Sequence, residues 1–334
     1  MGHVKRPRKK HPELRKSPIV DRVKLAMVDD GVAATFLEEQ RWGDHPTCPH
    51  CQADGVYRMA DAATGGRNRR FLWFCRSCRK KYTVRTGTVM EASHIALRHW
   101  CYAFWQMATD KGGVSALETR RHCQIGYRAA LFMLHRIRWA MANDAASLPK
   151  LDGIVEADET YVGGKPRIRG EGKRGRGTLK TPVFACVQRQ GQVRVKVAVD
   201  VTGDTLKSAI REVTKASATI VTDELSSYRG IGKDFQGGHH TVNHSAKEYA
   251  RPPKPGGPKH LEDHVIHTNT VENFFGVLKR GLDGAYIAVS KEHLPRYLAE
   301  FAWRFNVRDV CDGDRIALII RDSEGKRLRY RAAA

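Results

Sequence analysis

The sequence has no run of about 18 apolar residues, which is the length that a membrane-spanning helix requires. Its basic first 18 residues lack the apolar segment of a secretory signal, so we expect a disordered basic arm there. Acidic residues are also scarce relative to basic ones. The chain has 36 Asp and Glu residues and 58 Lys and Arg residues, which gives a formal net charge of +22. This excess is typical of proteins that bind polyanions; a ribosomal-type basic protein or a simply solvated surface is the alternative.

Eight cysteines in a sequence without a secretory signal predict a reducing cytosol, where thiols bind metals more often than they form disulfides. Two Cys-x-x-Cys pairs flank predicted strands over 56–59 and 71–74, and a third strand is predicted over 81–84. This arrangement predicts a zinc ribbon in which one tetrahedral Zn²⁺ binds Cys48, Cys51, Cys75 and Cys78. A nearby histidine, His45 or His50, is the alternative for one ligand.

An all-α region is predicted after the ribbon. Apolar periodicity indicates helices over 95–111, 115–123 and 127–141, with a turn at Gln124-Ile125-Gly126. A short helix, a turn with glycine and a longer helix form the helix-turn-helix pattern. The basic second helix favours DNA contact over an ordinary helical hairpin, through Arg128, Arg136 and Arg138.

Strands and helices alternate after a linker at 143–150. The predicted elements are strands over 153–161, 182–189 and 193–200, a helix over 202–215, and a buried strand over 219–222. Three strands, a helix and a fourth strand form the order that opens a ribonuclease H-like α/β fold. The Gly-, Lys- and Arg-rich segment between the first two strands cannot form a core, so we expect a flexible loop. Its expected contacts with a phosphate backbone are Lys165, Lys173, Arg174 and Arg176.

Two aspartates belong to neighbouring strands of this predicted core. Asp158 lies within the first strand, and Asp223 directly follows the fourth. Because these strands run side by side in a sheet of this order, the two carboxylates can converge and bind two Mg²⁺ ions for phosphoryl transfer. Each aspartate taken alone could simply end its strand. Glu159 and Glu224 are second choices, since strand alternation puts them on the opposite face.

A third acid lies near the start of a helix that is predicted to end at Gly281 and to be capped by a threonine or an asparagine. Glu272 and Lys279 are seven residues apart and therefore share one face of this helix. The carboxylate can then face the metals while the lysine holds a DNA phosphate, with Arg280 as a further DNA contact. A solvent-exposed Glu and Lys on an amphipathic helix is the alternative.

The sequence resembles bacterial insertion-sequence transposases of the ISXO type, which are related to the Merlin transposons. The resemblance covers about residues 30–308 and is most specific from His267 to Gly281. It also rests on the cysteine pairs and on the segments 113–138, 156–165, 221–223 and 297–306.

This resemblance implies a DDE integrase core that cleaves and transfers DNA strands with Mg²⁺ or Mn²⁺. The implied catalytic residues are Asp158, Asp223 and Glu272, with Lys279 as the accompanying basic residue. Asparagine can replace the third acid in this group, and Asn269 and Asn273 lie close to Glu272.

The resemblance also implies transposon ends and target DNA as partners, a homodimer or larger synaptic assembly, and a cytoplasmic location at the nucleoid. A DNA-binding regulator or an inactive relic is the alternative function, and the ribbon could bind a protein instead of DNA. The expected domains are an arm at 1–18, a helical lead-in and ribbon at 19–92, a helix-turn-helix region at 93–145, a catalytic core at 150–308 and a tail at 309–334.

Overall fold

The computed structural model describes residues 17–142, 148–163, 180–252 and 265–329. Its helices are α1 (Pro18–Ala26), α2 (Asp30–Trp42), α3 (Leu97–Thr109), α4 (Ala116–Cys123), α5 (Tyr127–Met141), α6 (Gly203–Val213), α7 (Asn269–Gly281), α8 (Leu294–Asn306) and α9 (Asp312–Asp322). Its strands are β1 (Val56–Arg58), β2 (Trp73–Cys75), β3 (Lys81–Tyr82), β4 (Ile154–Val162), β5 (Thr181–Gln188), β6 (Val193–Val197), β7 (Thr219–Thr222) and β8 (His239–Thr241). Within these ranges, no helix is long and apolar enough to cross a membrane.

The chain divides into two compact units. The described residues of the first unit are 17–109, 116–140 and 308–329, and those of the second lie within 110–115 and 141–307. The ribbon, the helices that follow it and the C-terminal segment therefore share one unit. The expected division of these residues into a ribbon, a helix-turn-helix region and a tail stays a prediction.

In the first unit, β1, β2 and β3 form a small antiparallel sheet. Trp73 and Tyr82 are buried on one face of this sheet, where the Trp42 ring of α2 packs edge-on against both. The indole nitrogen of Trp73 donates a 2.8 Å hydrogen bond to the buried carboxylate of Glu38. Helix α2 thus supplies the core that a sheet of this size cannot form alone.

The remaining helices of the first unit pack around α3. Its aromatic stripe, predicted to be core, is buried at Trp100, Phe104 and Met107. Helices α1, α2 and α9 all contact α3. The sequence indicated only a tail at 309–334, and the structure forms α9 there with Ile316, Ile319 and Ile320 buried. These residues stand three and four positions apart, which is the spacing of one helical face.

In the second unit, five strands form a mixed sheet in the order β6-β5-β4-β7-β8. Strand β4 pairs antiparallel with β5 and parallel with β7, and β5 and β6 are antiparallel. Strand β8, which lies parallel to β7, was not predicted, because three polar residues show no strand pattern of their own. Apolar β-branched residues explain β7, which is buried throughout.

Helices cover both faces of this sheet. On one face α6 packs against Val155 and Ala157 of β4. On the other face α7 and α8 pack against Val183 and Ala185 of β5. Because side chains alternate along a strand, Glu156 and Asp158 lie on the α7 face of β4. The fold thereby aims two acids of one strand at the helix that carries Glu272.

Candidate active site and zinc centre

The four knuckle cysteines form one compact sulfur cluster. Their Sγ atoms all lie within 4.8 Å of one another, with 3.6 Å separating Cys48 from Cys78 and Cys51 from Cys75. A backbone hydrogen bond from Cys78 lowers the pKa of the Cys75 thiol to about 6, which favours the thiolate that binds metal. Four sulfur ligands without an oxygen donor suit a tetrahedral Zn²⁺, so the clustered cysteines support the predicted zinc site.

Strand pairing places Asp158 and Asp223 at equivalent positions. Each paired position of β4 and β7 joins residues 65 apart in sequence, from Ile154 with Thr219 to Glu156 with Val221. Asp158 and Asp223 have the same separation and stand two residues beyond the last pair. Both side chains are partly buried at this end of the sheet. Adjacent parallel strands thus bring together two acids that are far apart in the sequence.

The three predicted catalytic acids are linked electrostatically. Burial raises the pKa of Asp158 well above its usual range, and the charges of Glu159, Asp223 and Glu272 raise it further. The backbone N–H of Glu159 opposes this rise through a 2.8 Å hydrogen bond. Mutual repulsion among oxygen ligands is relieved when a hard cation binds them, so these residues fit a divalent metal.

The carboxylates are more widely spread than the cysteine sulfurs. Among the residues that the structure describes, the cysteines are the group of three or more candidate ligands whose atoms all lie within 4.8 Å. A two-cation site, whose ions lie roughly 3.5–4 Å apart, accommodates a wider spread of ligands than a single-ion site.

Glu272 is held by its own helix and by a loop. The Thr268 hydroxyl donates a 2.8 Å hydrogen bond to Glu272 Oε1. His244 Nε2 lies 3.3 Å from the same oxygen and 3.1 Å from Thr268 Oγ1. The Glu272 side chain is 46% exposed, as a residue that receives metal and substrate must be. Lys279 and Arg280, in the last turn of α7, are exposed as well.

The N-terminus of α7 is capped by a distant acid that the sequence analysis did not select. Thr268 occupies the N-cap position, but its side chain makes no capping hydrogen bond. Instead, Glu156 Oε2 accepts hydrogen bonds from the backbone N–H groups of Thr270 and Val271, at 2.7 and 3.1 Å. The Thr270 hydroxyl donates to Glu156 Oε1 at 2.9 Å. A carboxylate at this position satisfies free helix N–H groups and interacts favourably with the helix dipole.

Glu156 is also the centre of a buried charge network. Its side chain is fully buried, and Arg189 Nε donates to Oε1 at 2.6 Å. The other Arg189 nitrogens donate to the carbonyls of Val265 and His267, at 2.7 and 2.8 Å. Burial raises the pKa of Glu156, but His267 and Arg189 outweigh this and hold it below its usual value. One carboxylate thus ties β4, the residue after β5 and the start of α7 together.

The second-choice acids point to other partners. Tyr228, buried on the α6 face, donates a 2.6 Å hydrogen bond to Glu159 Oε2. Glu224 accepts hydrogen bonds from the backbone and hydroxyl of Ser245, which lower its pKa. The charge of Glu159 still acts on Asp158, but its hydrogen bond holds it on the opposite side of β4.

The structure corrects two of the predicted DNA contacts. Arg138 is 1% exposed and Arg136 is 9% exposed. The Arg136 guanidinium donates 2.9 Å hydrogen bonds to the carbonyls of Val89 and Glu91, so it braces a loop of the first unit. Helix α5 is buried on most of its surface, and the basic residues in its second half are interior.

Arg128, in the first turn of α5, is exposed and remains available for contact with DNA. The two helices and their turn form as predicted, with Gln124 in a left-handed conformation. Their role in binding DNA stays a prediction. The loop residues Lys165, Lys173, Arg174 and Arg176 lie outside the described residues.

A zinc ribbon together with a mixed α/β core of this kind is consistent with a DDE transposase. Residues 150–306 match the family model of the ISXO2-like transposase domain, and residues 28–81 match that of the transposase zinc-ribbon domain. Both matches are to transposase domains, and they confirm the resemblance to the ISXO type.

Two curated proteins are similar to the chain. An uncharacterized protein in transposable element ISH50 of Halobacterium salinarum is 28% identical over 293 residues, which cover 84% of this chain and 92% of that protein. An uncharacterized transposase-like protein of Haemophilus influenzae is 29% identical over 120 residues, covering 36% of this chain and 85% of that protein.

Proposed function

We propose that this protein is an active transposase that cleaves DNA at the ends of its own insertion sequence and joins the freed 3′ ends to target DNA. The observation that supports the proposal is that Asp158 and Asp223 stand at matching positions of neighbouring strands, with the charges of Asp223 and Glu272 both acting on Asp158. An intact acid triad argues against a regulator or a relic whose core has decayed.

The catalytic unit is proposed to be ribonuclease H-like. The strand order β6-β5-β4-β7-β8, with the pairs β6-β5 and β5-β4 antiparallel and the pairs β4-β7 and β7-β8 parallel, extends the order expected from the sequence. The proposed acids lie at the carboxyl end of the parallel pair β4 and β7, which is the end where α/β sheets bind ligands.

In this proposal, Asp158, Asp223 and Glu272 hold two Mg²⁺ or Mn²⁺ ions. Such ions, when bound, activate the attacking hydroxyl and stabilise the leaving oxygen. Other residues hold the third acid in place. Thr268 and His244 fix the rotamer of Glu272, and Glu156 fixes the start of α7, the helix that carries Glu272. Lys279 and Arg280 lie exposed on α7, where they can hold the phosphates that flank the scissile bond.

The first unit is proposed to bind the terminal inverted repeats. The candidate contacts are the zinc ribbon and the start of α5, where Arg128 is exposed. The net charge of +22 adds sequence-independent affinity that falls steeply with salt. Pairing two ends requires at least two copies of the chain, so we expect a dimer or larger synaptic complex at nucleoid DNA in the cytoplasm.

The proposal is tested by incubating the full chain and Mg²⁺ with DNA that carries the inverted repeats flanking its own reading frame. A transposase nicks that DNA at the repeat boundary and joins the repeat to a target plasmid. A regulator or an inactive relic shifts the same DNA in a gel but leaves it uncut, and that result would reject the proposal.

A further inference from the structure

The outer face of the ribbon sheet carries a row of side chains that the zinc site does not explain. Strand register places Tyr57 directly opposite Phe74, and Phe74 directly opposite Lys81. Directly opposed residues share a face, so these three side chains cross all three strands in one row. Their strand neighbours Trp73 and Tyr82 are buried on the other face. This row, Tyr57-Phe74-Lys81, is called the ribbon row below.

Two of the three side chains in the ribbon row are aromatic, and its two outer members, Tyr57 and Lys81, are exposed to solvent. The Tyr57 side chain is 43% exposed, and its ring centroid lies 5.5 Å from that of Phe74. The guanidinium of Arg76 lies 5.5 Å from the centroid of the Tyr57 ring. Lys81 closes the row and is exposed. Since the ribbon core already contains Trp42, Trp73 and Tyr82, these outer aromatics are not needed to fill it.

Positive charge surrounds the ribbon row. Between positions 56 and 84 the sequence has eight Lys and Arg residues and a single acid, Asp61. Seven of these cations are exposed, and one of them, Arg58, pairs with Glu38. In the described parts of the chain, none of the other six lies within 4 Å of a carboxylate: Arg69, Arg70, Arg76, Arg79, Lys80 and Lys81. Charge complementarity therefore selects a polyanion as the occupant of this face.

We propose that the ribbon row stacks on unpaired nucleobases of single-stranded DNA while the surrounding cations hold its phosphates. Exposed aromatic rings within a basic surface are the elements of sequence-tolerant single-strand binding. Duplex DNA presents base edges in its grooves, so a flat aromatic row has no base face to cover there. The inference rests on the proposed function, in which cleavage at an element end creates a strand end that can fray into single-stranded DNA.

The test compares Tyr57→Leu with Tyr57→Phe in the full zinc-loaded chain. Zinc content and thermal stability first establish that both variants are folded. Fluorescence anisotropy then measures binding of labelled oligothymidine and of a duplex of equal length at several salt concentrations. Tyr57→Leu is expected to weaken single-strand binding roughly 5- to 100-fold, with duplex binding unchanged, and Tyr57→Phe is expected to bind both as wild type does.

The salt dependence separates stacking from charge. Tyr57→Leu removes no charge, so the slope of log affinity against log salt stays at the wild-type value. Lys81→Ala removes a phosphate contact and lowers the magnitude of that slope by about 0.7 for a single strand. Photocrosslinking with 5-iododeoxyuridine oligonucleotides locates the contact, and we expect adducts on Tyr57 or Phe74.

The proposal is overturned if Tyr57→Leu binds single strands as tightly as wild type, if single-strand and duplex binding fall equally, or if the adducts map to other residues. A Tyr57→Leu variant that keeps its DNA affinity but loses self-association would make the row a protein contact instead. Cleavage of element ends by the wild type is scored separately. If cleavage occurs and the row binds no base, only this inference fails; if the row binds bases and no cleavage occurs, only the proposed function fails.

Discussion

The Glu156 carboxylate on β4 accepts a 2.7 Å hydrogen bond from the backbone N–H of Thr270 at the start of α7. Asp158 lies two residues further along the same strand, and Glu272 lies two residues further along the helix. The contact therefore sets the distance between two proposed metal ligands from a position that touches neither metal nor DNA.

We expect Glu156→Gln to weaken catalysis through the metal site. The Glu156 carboxylate accepts hydrogen bonds from Arg189 and from two backbone N–H groups of α7. The glutamine amide has one accepting oxygen and no charge, so it cannot keep all three, and we expect α7 to shift relative to β4. By analogy with groups that orient metal ligands, the loss is roughly 10- to 100-fold in activity or in metal affinity. Cleavage rate is measured against Mg²⁺ concentration, and the half-saturating concentration should rise while end binding stays unchanged.

Thr270→Val is the matched variant for this prediction, because it removes only the hydroxyl contact with Glu156. It should move the Mg²⁺ dependence in the same direction by a smaller amount. Wild-type Mg²⁺ dependence in both folded variants would show that Glu156 is purely structural.

Arg136 and Arg128 should separate stability from DNA binding. Arg136→Ala leaves the buried carbonyls of Val89 and Glu91 without a donor, which costs about 2–3 kcal/mol of unfolding free energy. Arg128→Ala, at an exposed position, should change stability by less than about 0.5 kcal/mol and reduce the salt slope of DNA binding by about 1. Chemical denaturation and salt-dependent binding assays measure the two effects. A stable Arg136→Ala variant that loses DNA affinity would restore the original prediction.

Zinc should be essential to the ribbon. Cys75→Ser removes one of four sulfur ligands from a site whose metal binding contributes on the order of 10–16 kcal/mol to folding in comparable small domains. We expect loss of zinc by atomic absorption and loss of the ribbon fold by NMR. Cys311→Ser is the control, since that thiol lies outside the sulfur cluster. A Cys75→Ser protein that retains one zinc per chain would contradict the assignment.

His239 should make the catalytic unit sensitive to acid. Burial, reinforced by the charge of His240, lowers the pKa of His239 to about 4, and its Nε2 lies 2.8 Å from Thr222 Oγ1. Because the unfolded chain binds the proton first as pH falls below about 6.5, the stability present above that pH is lost progressively down to about 4. The full loss is about 3 kcal/mol, at about 1.4 kcal/mol per pH unit.

Urea denaturation of the wild type and of His239→Gln across this pH range checks the prediction. The stability of the variant should fall less steeply between pH 6.5 and 4, because its side chain does not titrate. Parallel pH profiles for the two proteins would show that His239 is not responsible.

Local patterns in the sequence were sufficient where a segment is determined by its own residues. The cysteine spacing predicted the sulfur cluster, and the order of strands and helix predicted β4 and β7 side by side, so that Asp158 and Asp223 could converge. The spacing of Ile316, Ile319 and Ile320 is that of one helical face, so α9 is also determined by its own residues.

Long-range contacts explain what the sequence did not predict. Glu156 looked like an ordinary strand residue, because its hydrogen-bond partners lie 114 and 115 positions away at Thr270 and Val271. Arg136 looked like a DNA contact, because a basic residue on a helix usually faces solvent; the carbonyls of a distant loop make its burial favourable. In both cases the charge is compensated inside the fold by groups that no local pattern reveals.

The proposed role of Asp158 in DNA cleavage is tested most directly by comparing two variants, Asp158→Asn and Glu212→Gln. The measurement is Mg²⁺-dependent cleavage of element ends. Glu212 is an exposed acid of α6 that pairs with Lys196, so it controls for loss of one negative charge elsewhere in the unit. We predict that Asp158→Asn binds the inverted repeats as the wild type does and produces no detectable cleavage, while Glu212→Gln cleaves normally. Cleavage by a folded Asp158→Asn protein at the wild-type rate would contradict the account.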